Sequence, residues 1–257
     1  MAMTCLPELG LGWGLNWVLG LGLGLLGGLL GIGGGLVAIP VLAWLHGMDQ
    51  PTAQGTALVM VVPNVLIGCH RYQQHHPIQW RRLLAMLVPA VIAARLSARL
   101  ATSIGGEDLR HAFAAFLVFL TALLLWQQGR QAPASGVRLA PLSPRLYPLV
   151  GVLSGFMSGM FTIGGGLVVV PALVMLFGTA QTAAQGMALA MVVPGSAVAL
   201  LSYAQSGHVD WDVGLPLALG GILTVATGVS WACKLRPHAL RWLFCAVLLG
   251  TAASMSR

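Results

Sequence analysis

The chain has 257 residues, of which 57% are hydrophobic and only 7% charged, and its mean hydropathy is +0.86. Soluble domains carry about 25% charged residues, so a soluble enzyme or solvated scaffold is excluded and a polytopic all-α membrane protein is expected. The net charge of +7 lies in short arginine-bearing segments between apolar runs, a mark of membrane topology and not of nucleic-acid binding.

Residues 1–8 carry Glu8 and no Lys or Arg, so the basic n-region of a cleavable signal is not visible and the first apolar run is expected to stay as a membrane helix. That run, about residues 13–30, is dense in glycine. The four-residue spacings of Gly24 with Gly28 and of Gly27 with Gly31 suit close approach of a neighbouring helix. Gly22, Gly24 and Gly27 also spell a dinucleotide fingerprint, which needs a preceding strand that an apolar helical run does not supply.

Next comes GIGGGLVAIP, Gly31 to Pro40, which returns as TIGGGLVVVP, Thr162 to Pro171. Glycine costs roughly 1 kcal/mol relative to alanine inside a helix. Gly33, Gly34 and Gly35, and again Gly164, Gly165 and Gly166, therefore predict a broken helix, written twice. Non-helical backbone survives in a bilayer only where protein buries it or a wet cavity borders it. Helices restarting at Leu36 and Leu167 direct free N–H groups and a positive dipole end toward that cavity, which suits an anion.

After the first break, residues 36–45 predict a helix of about half the membrane thickness, ending in a polar turn over 46–52. A span over 53–72 follows, interrupted by Pro63 with Asn64 beside it. Residues 69–82 hold three arginines, three histidines and no acid, which places this loop in the cytoplasm. Spans over 83–100 and 111–126 enclose Glu107 and Asp108. The stretch 127–145, rich in Pro, Ser and Arg, reads as a cytoplasmic linker. It separates membrane repeat 1, residues 1–126, from membrane repeat 2, residues 146–257.

The second half repeats the first at an offset of 131, as from Gly33 to Gly164. The offset holds without a gap: Gln54 meets Gln185, Met60 to Pro63 meets Met191 to Pro194, Tyr72 meets Tyr203, and Trp80 meets Trp211. Internal repeats of this kind occur in transporters, with the site at the repeat interface near the midplane. Charge distinguishes parallel from inverted repeats. The basic loop at 69–82 corresponds to residues 202–213, which hold Asp210 and Asp212 and no Lys or Arg. Likewise the basic Lys234, Arg236 and Arg241 correspond to the connection with Glu107 and Asp108. Equivalent loops thus fall on opposite sides, which predicts two inverted-topology repeats of about five segments each and both termini outside. If the segments after the glycines are re-entrant, three crossings per half keep the parity.

The paired G-x-G-G-G-x-x-x-x-P segments, the Ala-Gln-Gly turn at 53–55 and 184–186, and the Tyr-to-Trp loops resemble the TauE/SafE family of membrane permeases over roughly residues 13–255. The resemblance implies transport of a small sulfur-containing anion, sulfite or an organosulfonate such as sulfoacetate, across the bacterial cytoplasmic membrane.

The candidate substrate-binding residues are Gly33, Gly34 and Gly35 with Gly164, Gly165 and Gly166; close packing alone is the competing reading. Gln54 and Gln185 open the helices after the breaks, as amide donors to an oxyanion or as turn caps. Asn64 beside Pro63, and Ser196 beside Pro194, stand near freed carbonyls or at packing kinks. Thr162 and Ser158 flank the second break, where back-bonding to their own helix is the expectation for both hydroxyls. Arg95 is an anion partner or snorkels outward with Arg99. His70, His75 and His76 lie in a hydrated loop without acids and read as surface histidines.

No cofactor, metal or catalytic motif is expected: H-E-x-x-H and G-x-S-x-G are absent. The expected activity is that of a secondary transporter exposing its site alternately as one half moves against the other. A solute channel and a non-transporting membrane scaffold are the alternatives. Besides the anion, the lipid bilayer is the expected partner, and the glycine-rich faces permit a homodimer.

Overall fold

The computed structural model describes residues 6–30, 33–73, 80–129, 146–162, 169, 173, 181–232 and 250. Among them the chain is all helical, with no strand: α1 (Leu6–Leu30), α2 (Gly35–His46), α3 (Gln50–Gln73), α4 (Trp80–Ser103), α5 (Gly106–Gly129), α6 (Tyr147–Phe161), α7 (Gln181–Gln205) and α8 (Trp211–Ala232). Segments Gly12–Leu29, Gln50–His70, Leu83–Ser103 and Trp211–Trp231 are long and apolar enough to cross a membrane. With the composition, these make the chain a multi-pass membrane protein.

Helix ends depart from the sequence reading where local capping decides. Gln50 and Pro51 belong to α3 and not to the polar turn, since proline suits the first turn, where its missing N–H is not needed. Glu107 and Asp108 form the acidic first turn of α5, where their charge faces the positive dipole end. That helix also runs through Gly129, into the stretch read as linker. Asp210 caps α8, its Oδ1 accepting from the N–H groups of Asp212 (3.0 Å) and Val213 (3.2 Å).

Helix α4 shows how the bilayer and the core divide one sequence. Leu84, Val88, Ile92, Leu96 and Leu100, four residues apart, are all exposed, whereas Met86, Ala90, Ala94 and Ala98 are buried. The branched apolar side chains face outward, and the alanines, with Met86, face protein.

Glycines seal two helix pairs. Along α1, Gly20, Gly24 and Gly28 lie against the backbone of Leu217, Gly221 and Val225 in α8; along α6, Gly151, Gly155 and Gly159 lie against Met86, Ala90 and Ala94 in α4. A Cβ added at any of the six would fall inside the opposing helix. Sequence numbers rise together along each seam, so both pairs are parallel. These three contacts of one seam map onto the three of the other by the offset of 131. Thr224 Oγ1 adds a hydrogen bond across the first seam to the Leu21 carbonyl at 2.7 Å.

Between the seams run α3 and α7. Gln54 of α3 meets Tyr203 near the end of α7, whereas Leu66 and Cys69 of α3 border one cavity with Ala190 and Val193 of α7. The two helices are therefore antiparallel. The cavity holds about 370 Å³ and is closed on the α4 side by Leu83 and Leu87.

Candidate functional site

The chain leaves α1 after Leu30 and starts α2 at Gly35. Gly33 and Gly34 carry φ values of 73° and 92°, a left-handed path open to glycine and strained for side chains with a Cβ. The space is as restrictive as the dihedrals. A methyl on Gly34 would lie 2.8 Å from the Leu23 carbonyl oxygen and 3.1 Å from Met60 Cε. A methyl on Gly35 would lie 3.2 Å from the carbonyl oxygen of Thr162. The start of α2 thus abuts the end of α6, the helix that leads into the second glycine run.

Thr162 ends α6 with φ 56° and ψ 2°, and its N–H donates to the Ser158 carbonyl. It is the non-glycine residue with positive φ among the described residues, an unusual conformation for a β-branched side chain. Among the described residues neither the Thr162 nor the Ser158 hydroxyl has a hydrogen-bond partner, although both side chains are buried. The expected back-bonding is absent: the hydroxyls do not return to their own helix.

Asn64, buried on α3, donates from Nδ2 to the Gly33 carbonyl at 3.3 Å, and so ties the first break to the proline-kinked helix. Its Oδ1 has no partner among the described residues. Gln54 is fully buried; its Oε1 accepts from the Tyr203 hydroxyl at 2.6 Å and its Nε2 has no partner among the described residues. Ser196 is buried too, but donates to the Val193 carbonyl at 3.0 Å, so its proton is committed within α7. A buried polar atom left unpaired costs about 1–3 kcal/mol. The Gln54, Asn64, Ser158 and Thr162 atoms are four such groups on the helices that carry or border the breaks. Gln54 Nε2 and the two hydroxyls are hydrogen-bond donors, the complement of an oxyanion.

Gln185 is the fifth residue of α7, as Gln54 is of α3. Gly164, Gly165 and Gly166 lie outside the described residues, as do His75 and His76. Arg95 is half-buried on α4 with no ion pair among the described residues, Arg99 is exposed, and His70 is exposed. Residue-type reasoning passed over Tyr203, the partner of Gln54. Its signal was present as one of the residues that mark the repeat, Tyr72 with Tyr203.

A protein-family model for the sulfite exporter TauE/SafE matches residues 17–255. A probable membrane transporter protein of Xylella fastidiosa is 28% identical over 228 residues, 86% of this chain and 86% of its own. One from Methanocaldococcus jannaschii is 26% identical over 235 residues, covering 85% of each chain. Another, from Bacillus subtilis, is 24% identical over 241 residues, 85% of this chain and 88% of its own. No solved structure matches.

Proposed function

The chain belongs to the sulfite exporter TauE/SafE family, whose relatives are named as membrane transporters, and from that premise we propose that it carries a small sulfur-containing anion by alternating access. The substrate is sulfite or an organosulfonate such as sulfoacetate, and the membrane is the bacterial cytoplasmic membrane with both termini outside. The observation that carries this reading is the set of buried, unpaired donors beside the breaks: Gln54 Nε2 and the hydroxyls of Ser158 and Thr162. Such donors, fixed before the ligand arrives, replace part of an oxyanion's hydration shell. The glycine backbone at Gly33 to Gly35 and at Gly164 to Gly166, with Asn64 and Gln185, completes the site. Ser196 contributes acceptor capacity only.

The seams specify which parts move. The antiparallel α3 and α7 and the interchange of contacts at an offset of 131 support two inverted repeats. Each seam joins a helix of one repeat to a helix of the other. A sequence half moving as one body would open both seams, losing backbone contacts that only glycine permits. The moving bodies in this reading are therefore the pair α1 with α8 and the pair α4 with α6, with the breaks and the α3–α7 contact between them.

The test is counterflow in proteoliposomes: labelled sulfite outside, and unlabelled sulfite, sulfoacetate, taurine, sulfate or chloride trapped inside. Trans-stimulation by sulfite or a sulfonate and not by chloride is the expected result. Flux without trans-stimulation and indifferent to solute charge identifies a channel, and absence of flux above protein-free vesicles removes the transporter reading. Melting of the purified protein gives a second readout, because a ligand at 100 times its Kd adds about 2.7 kcal/mol.

A further inference from the structure

Tyr203 is fully buried, and its hydroxyl sits between two acceptors: Gln54 Oε1 at 2.6 Å and the Gly159 carbonyl at 3.4 Å. A phenol has one proton. The shorter contact lies within the usual O–H···O range and the longer lies beyond it, so the proton belongs to Gln54. An amide is planar, and holding Oε1 fixes where its two N–H donors point. That nitrogen is one of the buried atoms without a partner.

We propose that Tyr203 is a positioning residue for substrate: it holds the Gln54 amide oxygen so that the amide nitrogen is offered to the anion. The assignment rests on the proposed binding role of Gln54. The geometry gives the pair a place beside the end of α6. Gly159 is next to Ser158 and three residues before Thr162, about 4.5 Å along the helix axis. A hydroxyl touching the Gly159 carbonyl therefore holds the amide beside the turn that bears both unpaired hydroxyls. Without the Tyr203 proton, the amide is free to turn over and present its oxygen, which repels an anion. A buried tyrosine serving only to fill space has no use for its hydroxyl, since phenylalanine fills nearly the same volume without a polar atom to satisfy.

Tyr203→Phe, Gln54→Leu and the double variant test this, with sulfite as the probe in binding and proteoliposome assays. Tyr203→Phe is expected to fold but to melt below the wild type without ligand, because Gln54 Oε1 is left buried and unpaired, to weaken sulfite binding about tenfold, equivalent to about 1.4 kcal/mol, and to raise KM while Vmax is retained. The double variant is expected to bind no more weakly than Gln54→Leu alone, because Tyr203 acts through the amide. Undiminished binding by Tyr203→Phe or additive losses in the double variant would each overturn the assignment. The underlying site reading fails separately: if Gln54→Leu binds sulfite like the wild type, the donor role of Gln54 is gone and the positioning role goes with it. If Gln54→Leu loses binding and Tyr203→Phe does not, only the positioning role falls.

Discussion

Replacing Gly34 by alanine asks whether the first break is fixed by backbone conformation, by crowding, or by both. At φ 92° a residue with a Cβ pays about 1–2 kcal/mol for the left-handed region. The new methyl also lies 2.8 Å from the Leu23 carbonyl oxygen and 3.1 Å from Met60 Cε, and overpacking of that kind costs about 1–3 kcal/mol. The expected loss is therefore about 2–5 kcal/mol. Gly47 isolates the first component: its φ is 62°, and a methyl there meets nothing within 4 Å. Gly47→Ala is expected to lose only about 1–2 kcal/mol. Thermal unfolding of both variants in detergent, with sulfite counterflow in parallel, compares them directly. Gly34→Ala should melt lower and transport poorly, while Gly47→Ala transports normally. Equal melting shifts would show that the break is not crowded against α1 and α3, and normal transport by Gly34→Ala would refute its part in the path.

Thr162 gives the opposite sign for stability: Thr162→Gly relieves the φ of 56° and is expected to raise the melting temperature by the equivalent of about 1 kcal/mol. Transport falls in the same variant because the hydroxyl is gone, and a rise in both would argue that Thr162 is not a ligand. In α1, Gly24→Ala pushes a methyl into Gly221 of α8 and should destabilise the seam, whereas Gly22→Ala meets nothing within 4 Å and is expected to gain up to about 1 kcal/mol of helix propensity. Matched melting temperatures for these two would deny the seam its close approach.

The helical class and the place where α1 gives way to α2 were legible because each has a one-dimensional signature. Three glycines interrupt an apolar run, and the same pattern returns at a constant offset. Which glycines seal helices was only half legible. The four-residue spacing of Gly24 with Gly28 was visible, but Gly27, which offers the same spacing with Gly31, turns instead toward the backbone of Gly33 and Gly34. Spacing names a helix face and not its neighbour. The pairing of α1 with α8 and of α4 with α6 crosses between the halves, and no local pattern encodes such a contact. Expectations for the hydroxyls failed for a related reason. Back-bonding is a local habit of serine and threonine, while Thr162 is the left-handed cap of α6, with φ 56°. Tyr203 was visible as a repeated residue, yet its partner Gln54 is 149 positions away.

The two glycine-run segments are not chemically equal, and the inequality follows a pattern of exchanged volume. At three equivalent pairs one half has glycine where the other has a polar side chain: Gly27 with Ser158, Gly31 with Thr162, and Gly195 with Asn64. In the second half, a methyl on Gly195 would lie 3.2 Å from Ser158 Oγ, so small Gly195 makes room for the serine. In the first half the sizes are reversed, Asn64 being large and Gly27 small. If the members of each pair share space, Gly195→Asn alone crowds Ser158 and costs about 1–3 kcal/mol, and adding Ser158→Gly restores most of the loss by giving the second half the composition of the first. Melting temperatures of the wild type, both single variants and the double variant form a cycle whose coupling is expected to be about 1 kcal/mol or more. Sulfite affinity should not recover with stability, because the Ser158 donor is absent from the rescued protein. Strict additivity in melting would mean that the two positions do not compete for volume. The polar groups at the breaks would then need another reason for alternating between the halves.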